Sequence, residues 1–120
     1  MAITLNDIAR NAAADAVCGL LDGGTIEFQT SGGAEVATVT FGTPAFGAAS
    51  GGTATANAID PDPSVTGGTT TQFVAKTSGG DPVFSGTVGT SGADINITST
   101  TMVATERLEL DSFTYTQTAA

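Results

Sequence analysis

Two periodicities divide the chain. Across residues 4–22 (TLNDIARNAAADAVCGLLD) apolar side chains recur every three or four positions, which is the spacing of one helix face. Leu5, Ile8, Ala9, Ala12, Ala16 and Leu20 fall on that stripe, with Ala13 and Val17 adjacent. Thr4 stands where an N-cap belongs, Asp7 replaces the capping-box Glu three residues on, and Ile3 is spaced to staple against Ile8. Gly23 and Gly24 supply the stop, because glycine readily takes the left-handed conformation that closes a helix. A stripe made mostly of Ala allows another surface to approach closely. Leu5, Ile8, Ala9, Ala12, Ala16 and Leu20 are therefore the candidate docking face, covered by the chain's own sheet or by a partner subunit.

After Gly24 the period falls to two. Ile26 and Phe28 flank Glu27, and Ala37, Val39 and Phe41 share a face before Pro44 and Gly47 break the strand. Residues 53–59 (TATANAI) alternate small with polar, and 60–68 (DPDPSVTGG) read as the longest loop. Further strands are expected at 69–76, 82–89, 94–100 and 102–117. In the last, Leu108 and Leu110 share a parity that Phe113 and Tyr115 do not, which predicts a β-bulge near Asp111-Ser112. TSGGA at 30–34, TSGGD at 77–81 and TSGAD at 90–94 each sit between strand patterns, as hairpin loops do. The expected fold is mainly β: an antiparallel β-sandwich of about eight strands with one N-terminal α-helix. Residues 1–24 form the helix and its cap and 25–120 the sandwich, together a single domain.

The composition narrows the chemistry. With no His, a Ser or Thr nucleophile lacks its usual base, and Cys18 lies among Ala, Val and Leu, where a thiol behaves as a small hydrophobe. Twelve carboxylates leave a glycosidase pair conceivable, but one Tyr and six Phe read as core and there is no Trp to form a sugar platform. Asp60 and Asp62, or Asp81 and Asp94 at turn tips, offer oxygens to calcium, yet their spacing fits no EF-hand loop and acidic turns are normally just solvated. No phosphate-loop motif occurs. The expectation is a non-enzymatic protein with no catalytic, cofactor or metal site.

Charge excludes one class of partner. Twelve acids against Arg10, Lys76 and Arg107 give a formal −9, so the cationic term on which nucleic-acid binding rests is missing. No basic n-region opens the chain, and no apolar run approaches the ~20 residues of a membrane helix, so a protein made as a soluble cytoplasmic product is expected. A lone Cys forms no intrachain disulfide.

The ordered segments ARNAAADAVCGLLDGGTIEFQT, ATVTFGTPAFGAASGGTATANAI, FVAK, GTVGTSGADINITST and SFTYTQ resemble a family of small structural proteins of tailed bacteriophages. The likeness runs from Ala9 to Gln117, with TFGTPAFG, TATANAI and GTVGTSGADINI its most specific parts; Val74 departs from it, standing where Arg is expected in many relatives. The resemblance implies a virion role and brings no catalytic motif. The favoured expectation is a capsid decoration (cement) protein, a homo-oligomer bound to the major capsid protein outside the head, with trimers ahead of dimers. A tail component (tube, adaptor or fibre-associated) is the alternative. A carbohydrate-binding host-adhesion module comes third, weakened by the scarcity of exposed aromatics for sugar stacking.

Overall fold

A computed structural model describes residues 3–118. The protein is mainly β with one helix, α1 (Asp7–Gly19), ahead of ten strands. These are β1 (Thr25–Gln29), β2 (Glu35–Phe41), β3 (Thr53–Thr55), β4 (Ile59–Asp60), β5 (Gly68–Thr69), β6 (Gln72–Lys76), β7 (Pro82–Gly89), β8 (Ile95–Asn96), β9 (Thr101–Met102) and β10 (Thr114–Thr116). Six strands make one curled sheet in the order β4-β2-β1-β6-β7-β8, and β10-β3 and β5-β9 form separate two-stranded ribbons.

The period-two pattern sets the register of the main sheet. Ile26 lies opposite Val39 on one side and Ala75 on the other, and Phe28 opposite Ala37 and Phe73. All of these side chains are buried, while Glu27 on the opposite face pairs with Lys76. TSGGA and TSGGD close antiparallel hairpins, with Thr30 N–H donating to Ala34 O and Thr77 N–H to Asp81 O. TSGAD does not: Val88 and Gly89 pair with Ile95 and Asn96 in parallel, so this turn returns the chain to the same direction.

Several expected elements are shorter. The helix occupies 7–19 rather than 4–22, its N-cap is Asn6 with no capping side-chain bond, and Ile3 and Ile8 are 77% and 87% exposed, so no staple forms. Gly23 does take a positive φ of 69°, beyond a turn that follows the helix. Of the 53–59 segment only 53–55 and Ile59, the start of β4, are strand, and of the 94–100 segment only 95–96. The loop at 60–68 is tied down by an Asp62–Leu108 bridge with two 2.9 Å hydrogen bonds, and it includes the start of β5. Residues 102–117 are broken into the end of β9, that bridge and β10. Leu110 and Phe113 are both buried, so the parity does switch, but across non-strand residues rather than a bulge; the register shifts lie at Phe28/Gln29 and Ala75/Lys76.

All six Phe belong to the core, Phe84 partly buried at its margin. Phe113 is the hub, with ring centroids 6.3, 6.0, 5.9 and 6.0 Å from Phe41, Phe46, Phe73 and Phe84. One side chain thus joins the main sheet, the 42–52 connection and the approach to β10. Gly86 makes room for this cluster: a Cβ there would stand 2.7 Å from the Phe73 ring.

Candidate functional site

The helix carries apolar residues on two sides: Ala14 and Cys18, with Leu21 just beyond the helix, are buried, while the stripe of the candidate docking face is turned outward. Its inward side carries Ala14 and Cys18, both buried, flanked by half-buried Arg10, Asn11 and Val17. The polar members of this side bind the backbone of the β-body. Arg10 Nε donates to Gln117 O at 2.9 Å, and Asn11 Oδ1 accepts from Gly52 N–H at 2.8 Å. Asp15 Oδ1 accepts from Ala49 N–H and, beyond the helix, Asp22 Oδ1 from Ala45 N–H, both at 2.8 Å. Four side chains thereby satisfy backbone groups of the 45–52 connection and the C-terminal strand.

The outward side is what remains. Ile8, Ala9, Ala12, Ala16 and Leu20 are all exposed, Ile8 by 87% and Leu20 by 56%; Leu5 is half-buried. The six residues of the candidate docking face therefore lie together, but they do not pack on the chain's own sheet. Gly19 is exposed beside them and Asp15 lies at the margin, its carboxylate turned to Ala49. The exposed apolar residues of the helix are thus gathered on one face.

Apolar periodicity does not single out the polar anchors, although Asn11, Asp15, Cys18 and Asp22 are spaced four, three and four apart. The candidate face, expected to be covered by the chain's own sheet or by a partner, is left outward. Burial of Ala14, Cys18 and Leu21, with four hydrogen bonds to backbone groups, holds the other face inward.

Cys18 lies on the buried side, and its thiol is pushed up to about 11, first by burial and then by the Asp15 charge. It is a neutral packing group at physiological pH. The acidic turn residues serve the fold locally. Asp62 accepts from Thr38 N–H (2.9 Å) and Ser64 N–H (3.0 Å), and Asp94 from Thr87 N–H (2.9 Å). Asp60 is exposed in β4, and Asp81 closes its turn through backbone bonds to Thr77. Among the described residues no group of three or more acidic, Cys or His side chains converges to hold a metal ion. No described helix is long and apolar enough to cross a membrane. No family model, curated protein or solved structure matches the chain.

Proposed function

We propose that the chain is a non-enzymatic structural subunit of a bacteriophage virion, a capsid decoration (cement) protein that docks through the outward face of α1. The observation that carries the docking surface is the outward apolar stripe of the helix: Ile8, Ala12, Ala16 and Leu20 are in water while Arg10, Asn11 and Asp15 bind the body. The phage-family resemblance of the sequence supplies the class of particle, and the −9 charge favours a place outside the head, away from packaged DNA. The main sheet and the small ribbons are read as an incomplete β-sandwich.

Magnitude favours a repeated contact over a solitary one. A helix of 13 residues is about 20 Å long and about 10 Å wide. One face of it falls well short of the roughly 800 Å² per partner in a stable pairwise interface. Such a contact gains strength when many copies engage one lattice. Homo-oligomers, trimers ahead of dimers, fit the three-fold positions of an icosahedral shell and contact the major capsid protein together. The test is copy number in purified particles of a phage whose genome encodes the chain. Several hundred copies are expected; a handful assigns the chain to the tail, and none rejects the virion assignment.

A further inference from the structure

A second surface, remote in composition from α1, lies between the two arms that flank residues 103–105. The connection is tight: Glu106 N–H donates to Val103 O at 3.1 Å, and Thr105 has a φ of 76°. Arms leaving such a turn ordinarily pair as a hairpin. Here, among the described residues, no backbone hydrogen bond joins 94–102 to 106–114. They splay apart around a trough of about 670 Å³ with Val65, Ile97, Met102, Leu108 and Leu110 in its lining. Past Ile95 and Phe113 it continues into a further 240 Å³, the two volumes sharing Asn96, Leu110 and Ser112.

Both walls present open backbone. On one side β8 is the last strand of the six-stranded sheet. Ile97 N–H donates back to Gly89 O at 2.9 Å, and beyond it the N–H groups of Thr98 and Ser99 have no acceptor among the described residues. On the other wall Leu108 exchanges both its hydrogen bonds with Asp62, and beyond it the N–H groups of Glu109, Leu110, Asp111 and Ser112 have no acceptor among the described residues. Open strand edges above an apolar floor are the setting in which an extended segment adds as a strand.

Charge selects the occupant. Glu106, Glu109 and Asp111 are exposed in or beside the lining, and the one cation there, Arg107, is already held by Glu109 at 2.7 Å. The rim favours a segment bearing Lys or Arg. A second copy of this chain is a poor source, because each of its three cations is engaged: Arg10 with Gln117 O, Lys76 with Glu27 and Arg107 with Glu109. We infer that this trough receives an extended, basic segment of a different protein, apolar at alternate positions, as an added strand joining the two splayed arms.

The test uses the whole chain and three synthetic octapeptides: alternating Lys and Val, alternating Glu and Val, and the Lys/Val peptide with a central Pro. Fluorescence anisotropy reads affinity, and amide hydrogen exchange reads place. The Lys/Val peptide is expected to bind, to slow exchange at residues 98–99 and 109–112, and to weaken with salt. The Glu/Val peptide should not bind, and central Pro should weaken binding about tenfold or more, because it removes a backbone donor and breaks the strand. A Glu109→Lys/Asp111→Lys variant should lose binding comparably, whereas Ala12→Glu should keep it, which separates this site from the α1 face. No binding overturns the proposal. Binding without protection at 109–112, or undiminished by Pro, also overturns it, as general attraction to an acidic protein.

Discussion

Asn11 and Gly52 meet where the helix is fastened to the β-body. Gly52 is buried, its N–H reaches Asn11 Oδ1, its carbonyl accepts from Gln117 N–H, and its φ is 81°. Asn11→Leu leaves that N–H without a partner and is expected to cost about 1–3 kcal/mol in denaturant unfolding. Gly52→Ala should do comparable or greater harm, since a Cβ would stand 2.5 Å from the Arg10 guanidinium on a backbone that Ala resists. Phe113→Ala removes the ring shared by four aromatic neighbours and should cost about 3–5 kcal/mol. Cys18 adds a pH dependence. Its folded value of about 11 lies above the ordinary 9.0, so between those values the folded chain keeps a proton that the unfolded chain releases. This stability is complete below pH 9 and lost as pH rises toward 11. Unfolding midpoints measured across that window should fall for the wild type, and the Cys18 component of the fall should be absent in Cys18→Ala. Phe28, Phe41, Phe73 and Phe113 were legible as core because alternation and bulk agree there. The need for Gly at 52 was not, because it arises from the guanidinium of Arg10, distant in sequence, together with a positive φ.

At the scale of elements, strand positions were more legible than strand pairings. β1 and β6 stand out because alternation over five residues repeats the same in-out decision several times, and β2 keeps it over most of its length. TSGAD carries the same turn chemistry as the two true hairpin loops, yet β7 and β8 run parallel. Local sequence sets that a turn occurs, while the edge of β7 open to the next strand is the one that β6 does not already occupy. The helix was legible in existence but not in orientation, as both of its sides carry apolar residues at helical spacing. That orientation has a direct consequence. Ala12 and Ala16 are exposed, so Ala12→Glu and Ala16→Glu should leave unfolding free energy within about 0.5 kcal/mol of wild type, as surface substitutions do. The same changes place a carboxylate in the middle of the proposed contact and should abolish assembly.

For the whole molecule, two surfaces divide by physics. The outward face of α1 is uncharged apart from its margin, so docking through it should persist in molar salt, where the Debye length shrinks to about 3 Å. The trough at 94–114 is rimmed by acids and should respond to salt in the opposite way. The most direct measurement adds wild-type chain, Ala12→Glu or Ala16→Glu to phage particles stripped of it, pellets them in low and molar salt, and quantifies what remains bound. Wild type should be retained in both salts, and neither variant in either, although all three melt alike. Retention of both variants at the wild-type level would contradict the claim that the outward face of α1 is the assembly surface.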